Sequence, residues 1–94
     1  MQEIEFIKKK IAPILREFNV KKAGIFGSYA RKENKEKSDI DLLVKTDGMG
    51  IFEFIRLRET LRKALGRKVD LVEYEEIREE LKNNILADEI PIKI

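Results

Sequence analysis

Three short apolar runs, at residues 22–28, 39–45 and 69–74, alternate with stretches in which apolar residues recur at three and four positions, and this alternation most narrows what the chain can become. The runs are too short for helices and read as buried strands, whereas the stretches between them read as amphipathic helices. The first stretch, residues 3–18, carries Ile4, Ile7, Ile11, Ile14, Leu15 and Phe18 on one stripe, and Asn19 is a plausible stop. Pro13 lies inside that stripe and removes one backbone donor, so a kink or break is expected near Lys10. Residues 22–28 (KAGIFGS) read as a strand ending in a tight Gly27-Ser28 turn, followed over 29–38 by a short helical turn and an exposed polar loop.

Residues 39–45 (DIDLLVK) are a second strand, 46–50 a loop, and Ile51, Phe54, Ile55, Leu61 and Leu65 mark a helix that Gly66 ends. Residues 69–74 (VDLVEY) are a third strand. Glu75 and Glu76 suit the start of a last helix with Ile77, Leu81 and Ile85 as its stripe. The tail 90–94 (IPIKI) adds a short edge strand or an extended arm, and Pro91 fits an edge only. The expected class is α/β (α+β), a small mixed sheet of three to four strands flanked by helices in two or three layers.

A chain of 94 residues has room for one domain, spanning residues 1–94. Twenty Lys plus Arg oppose eighteen Asp plus Glu, for a net charge of +2, so no global field draws the chain to nucleic acid or an anionic membrane, and no direct nucleic-acid binding is expected. Cysteine and histidine are both absent, which removes disulfides, zinc fingers and Ser-His or Cys-His catalysis. No apolar run approaches the roughly 20 residues of a membrane span, and the charged amino terminus is unlike a signal peptide, so a cytoplasmic location is expected.

Against that background three acids stand out. Asp39 and Asp41 flank Ile40, so a strand's period of two puts both carboxylates on one face, and Asp70 repeats the pattern between Val69 and Leu71. Taken singly, Asp39 reads as a strand-start cap, Asp41 as a lysine's ion-pair partner and Asp70 as an exposed strand acid. Converging on one face they would repel unless a cation neutralised them, and oxygen-only ligation points to Mg²⁺ first and Mn²⁺ second. A strand ending in Gly27-Ser28 before a helical turn also offers backbone N–H groups and a hydroxyl as an anion cradle. Six basic residues (Lys21, Lys22, Arg31, Lys32, Lys35, Lys37) and two acids (Glu33, Glu36) give this stretch a local +4. Arg31, one helical turn past the cradle, is the best candidate for a charge-assisted phosphate contact.

The segment GSYARKENKEKSDIDLLV, with VDLV around Asp70, resembles the signature of the DNA polymerase beta-like nucleotidyltransferase superfamily, and most of all its smallest members, the minimal nucleotidyltransferases. The resemblance extends from the amino-terminal helix to residues 85–90, and the usual glycine after Ala-Arg is Lys32 here. It implies the polymerase beta-like fold, with Gly27 and Ser28 holding a nucleoside triphosphate, Asp39 and Asp41 binding two Mg²⁺ ions, and Asp70 joining them to activate the attacking hydroxyl. The implied activity is transfer of NMP, AMP from ATP in particular, to a hydroxyl. It further implies a small helical HEPN toxin as partner, with a tyrosine of that toxin as acceptor and the chain as its antitoxin. A contact-only antitoxin and transfer to a small-molecule hydroxyl are the alternatives, and self-association into a homo-oligomer stays open.

Overall fold

The computed structural model describes residues 2–27, 30 and 39–94. Helix α1 (Gln2–Glu17) runs unbroken through Pro13, so the break expected near Lys10 does not occur. Ile7, Ile11 and Leu15, on both sides of the proline, are buried, and this packing outweighs one lost backbone bond. Asn19, in the left-handed region at φ 60°, closes the helix: its N–H donates to the Arg16 carbonyl (3.0 Å) and that of Val20 to the Leu15 carbonyl (2.9 Å). These two bonds form a Schellman motif, with asparagine tolerated where glycine is commoner.

Strand β1 (Lys22–Phe26) is followed by Gly27 in a turn, and β2 (Ile40–Lys45) begins one residue later than expected. The helical turn and loop expected over 29–38 lie, apart from Ala30, outside the described residues. Helix α2 (Ile51–Leu65) ends as expected at Gly66, whose φ of 67° allows its N–H to reach the Arg62 carbonyl at 2.8 Å. Its inward stripe differs from the expected one. Leu57 and Leu61 are buried, with Phe54 and Leu65 packed against the core, whereas Ile51 and Ile55 are exposed.

Strand β3 (Val69–Glu73) passes into a 3-10 turn at Tyr74–Glu76, and α3 (Glu79–Asp88) starts four residues later than the Glu75 start expected. Ile77 and Arg78 are extended at ψ 130° and 139°, which takes Ile77 off the helical stripe and leaves Leu81 and Ile85 on it. The tail does form β4 (Ile90–Ile92).

The four strands order β3-β2-β1-β4, with β1 antiparallel to both β2 and β4 and β2 parallel to β3. Pro91 therefore sits on an edge strand, the place its missing N–H permits. Since paired residues on neighbouring strands share a face, one face carries Ala23, Ile25, Ile40, Leu42, Val44 and Val69, all buried beneath α1 and α2. The opposite face carries Gly24, Phe26, Asp41, Leu43 and Asp70. At one end of it the Tyr74 hydroxyl donates to Glu89 and Lys22 Nζ lies 4.9 Å from the Tyr74 ring centroid. Gly24 has no Cβ because the Glu89 side chain fills that space. Burial first, then the Glu89 hydrogen bond and charge, push the Tyr74 phenol above its ordinary pKa. Tyr74 is thus a half-buried packing residue that clasps the end of α3 to the sheet.

Candidate functional site

Parallel pairing of β2 with β3 sets the site. Its register puts Ile40 beside Val69 and Asp41 beside Asp70, so the two carboxylates leave the same face of adjacent strands. Neighbouring strands lie about 4.8 Å apart, a close spacing for two like charges. Asp70 is exposed on β3, which is an edge strand, and Asp41 is half-buried one strand further in.

Asp39 is placed differently. It precedes β2, whose first residue, Ile40, donates its N–H to the Lys68 carbonyl at 3.0 Å. The Asp39 carboxylate lies 3.9 Å from Lys68 Nζ, with both side chains well exposed. The structure thus sets Asp41 and Asp70 abreast and turns Asp39 toward a cation. Among the described residues no three acidic side chains are gathered closely enough to cage a metal ion. Lys68 offers Asp39 a partner of opposite charge.

Gly27 stands at the other side of Asp41. It follows Phe26, the residue paired with Asp41 across β1 and β2, and holds φ at 75°. A Cβ built there would collide with the Asp41 carboxylate and stand 3.0 Å from Cγ. Glycine is required here twice, for the left-handed backbone and for the space the carboxylate occupies. Ser28 and Arg31, the other two phosphate candidates, lie outside the described residues.

What the arrangement offers is two abreast carboxylates beside a glycine turn, with no nitrogen or sulfur donor. Oxygen donors of this kind are the chemistry of a hard cation such as Mg²⁺, and the cleared Cβ position lets the turn's backbone come up against Asp41.

Sequence reasoning missed Lys68. The signal was present: once Asp41 is aligned with Asp70 on parallel strands, the residue before Val69 falls beside the residue before Ile40. Reading it required knowing that β2 and β3 run parallel, which the run lengths alone do not say.

Comparison with known proteins identifies the family. The family described as polymerase beta, nucleotidyltransferase, matches residues 9–93. A Methanocaldococcus jannaschii chain assigned as a protein adenylyltransferase is 46% identical over 90 residues, covering 95% of this chain and 97% of its own length. Protein adenylyltransferase MntA of Thermococcus cleftensis is 39% identical over 90 residues, covering 94% of this chain and 91% of its own. A solved structure assigned as a minimal nucleotidyltransferase superposes with a TM-score of 0.82 at 28% identity, covering 96% of this chain and 93% of that one. A chain from the crystal structure of a toxin–antitoxin with AMP-PNP gives 0.79 at 25% identity, covering 92% of this chain and 72% of that one. The family match over residues 9–93, relatives 39–46% identical over 90 residues and the shared fold place this chain in the polymerase beta nucleotidyltransferase family, as a minimal nucleotidyltransferase.

Proposed function

We propose that this chain, as a single domain over residues 1–94, transfers AMP from ATP to a hydroxyl of a partner protein with Mg²⁺ as cofactor, releasing pyrophosphate. The observation that carries this reading is the pairing of Asp41 with Asp70 beside a glycine whose missing Cβ makes room for Asp41. Asp39, Asp41 and Asp70 would hold the metal, and Gly27, Ser28 and Arg31 the triphosphate. When bound, Mg²⁺ lowers the pKa of the attacking hydroxyl and neutralises charge on the phosphates.

The protein's own part follows from its residues. Asp70, on the open edge strand, is the acid an incoming hydroxyl reaches first, and it orients that hydroxyl and accepts its proton. Gly27 brings backbone up to the phosphates without a side chain in the way. Arg31 adds a charge-assisted hydrogen bond, worth about twice a neutral one. The sequence has neither His nor Cys, and these carboxylates are the acid–base groups the reading puts at the site.

The acceptor is read as a tyrosine of a small helical HEPN toxin, for which this chain is the antitoxin. Support comes from the relatives: two are described as protein adenylyltransferases, and one solved neighbour is a toxin–antitoxin with AMP-PNP. Among the described residues no helix is long and apolar enough to cross a membrane, and the reading places the pair in the cytoplasm. The test is mass spectrometry of the copurified partner after incubation with ATP and Mg²⁺. One or more added AMP groups, absent with Asp39→Asn, support transfer. An unmodified partner that is still inhibited in equal proportion would overturn transfer and leave neutralisation by contact.

A further inference from the structure

Helix α2 has two stripes. Phe54, Leu57, Leu61 and Leu65 face the core, and beside them Ile51, Ile55, Arg58 and Arg62 recur at the spacing of a second face, with all four exposed. That second stripe looks toward β3, because pockets at both of its ends are closed by β3 or the residues flanking it. One pocket, of about 310 Å³, is lined by Met49, Ile51, Phe54, Glu73 and Glu76. The other, of about 320 Å³, is lined by Arg58, Glu59, Arg62, Lys68, Val69 and Asp70. Since β3 is an edge strand, nothing in the sheet lies beyond it. The stripe from Ile51 to Arg62 is about 16 Å long at the helical rise.

The two ends differ in chemistry. At one, Ile51 stands 71% exposed beside Met49 and Phe54, an apolar wall open to solvent. Glu76 and Glu73, the latter accepting a hydrogen bond from the Thr46 hydroxyl, rim that end. At the other end three cations face two acids, and the guanidinium of Arg62 is fixed by Glu59 through Nε at 3.0 Å and Nη2 at 2.9 Å. The Arg62 hydrogen bond holds the Glu59 carboxyl below its usual pKa, so the pair stays charged. Arg58, 3.7 Å from Glu59, keeps donors for a second anion. Asp70 leaves the sheet on the face away from α2, but on the edge strand it also borders this basic end, and it is the acid to which the proposed function assigns the incoming hydroxyl.

We propose that this groove between the outer stripe of α2 and the open edge of β3 docks the acceptor-bearing segment of the partner protein. The occupant is a segment with an apolar anchor and a basic residue at one end, and an acidic residue beside the acceptor hydroxyl at the other. The anchor fills the Ile51 pocket and its basic neighbour meets Glu73 and Glu76. The acidic residue meets Arg58 and Arg62, which sets the hydroxyl at Asp70. Opposite charge at the two ends fixes the direction in which the segment lies. The inference rests on the proposed transfer for its choice of occupant, and its test does not depend on turnover.

A synthetic peptide of about 12 residues, about 18 Å long when helical, carries the stated order: Leu-Lys at one end and Glu-Tyr at the other. The isotope-labelled chain is titrated with it to millimolar concentration without nucleotide, and amide shifts are followed by NMR. Shifts should cluster on α2 and β3 and spare β4. Ile55→Glu and Arg58→Gln, both on exposed helix positions, should each weaken the peptide at least about tenfold. Neither should alter Mg²⁺–ATP binding or transfer to N-acetyl-tyrosinamide, which is too small to span the groove. Absent shifts, shifts elsewhere, equal binding of a peptide with its charge order reversed, or unchanged affinity in both variants would overturn the groove. Peptide binding in the groove with no AMP transferred to any acceptor would leave the groove standing and overturn the catalytic reading.

Discussion

Replacing Gly27 by alanine separates two costs that the structure assigns to one position. Gly27 and Gly66 both lie in the left-handed region, at φ 75° and 67°. A non-glycine residue there costs roughly 1–2 kcal/mol. Restricting the unfolded chain returns about 0.4–1 kcal/mol, so Gly66→Ala, whose Cβ meets nothing within 4 Å, should lose about 1 kcal/mol. Gly27→Ala carries the same strain and in addition drives its Cβ into the Asp41 carboxylate. Moving that carboxylate off its rotamer adds about 0.5–1.5 kcal/mol. Urea unfolding should therefore show Gly27→Ala less stable than Gly66→Ala by about that increment. Function should separate them further, because a displacement of about 1 Å at a catalytic group can cost about 100-fold in rate. Gly66→Ala should bind Mg²⁺–ATP normally and Gly27→Ala should not, with Gly27→Val worse still. If the two alanine variants prove equally stable and bind Mg²⁺–ATP equally, the contact between the Gly27 turn and Asp41 does not do what is claimed for it.

Three further outcomes follow from particular residues. Arg31→Ala should raise the KM for ATP about 10- to 100-fold, the value of a charge-assisted hydrogen bond, and Ser28→Ala should raise it less; steady-state kinetics check both. Leu61→Ala should cost about 2–5 kcal/mol by urea unfolding because Leu61 is fully buried, while Ile55→Ala on the exposed stripe should stay within about 0.5 kcal/mol. The Tyr74 phenol has its pKa raised in the folded state, so its contribution is complete below the unfolded value near 10 and is lost as pH climbs from there toward the folded pKa. Stability measured across that alkaline range should fall more steeply in the parent than in Tyr74→Phe.

The strands and the first two helices were legible because each declares its period within a few residues: Ile7, Ile11 and Leu15 give α1, and the alternation around Asp41 gives β2. Gly66 and Pro91 marked a helix end and a sheet edge for reasons local to their own backbones. Other features depended on partners distant in sequence. Ile55 and Leu61 look alike along the chain, and only the placing of α2 between α1 and the β3 edge decides which is buried. The later start of α3 follows from two extended residues, Ile77 and Arg78, whose types do not forbid a helix. At the site, the period of two suggested a shared face for Asp39 and Asp41. It could not show that strand pairing sets Asp41 beside Asp70 and leaves Asp39 next to Lys68. The groove along α2 was hidden for the same reason, since Arg58 and Arg62 acquire a meaning only beside Asp70.

Calorimetric titration of the parent and of Asp41→Asn with Mg²⁺–ATP tests the central claim, that paired carboxylates on β2 and β3 hold the metal and with it the nucleotide. Asparagine keeps the shape and hydrogen-bonding capacity of the Asp41 side chain and removes its charge, so the chain should still fold. The account predicts that Asp41→Asn folds cooperatively in urea titration yet loses most of its Mg²⁺–ATP affinity. Parent-like affinity in a folded Asp41→Asn would contradict it.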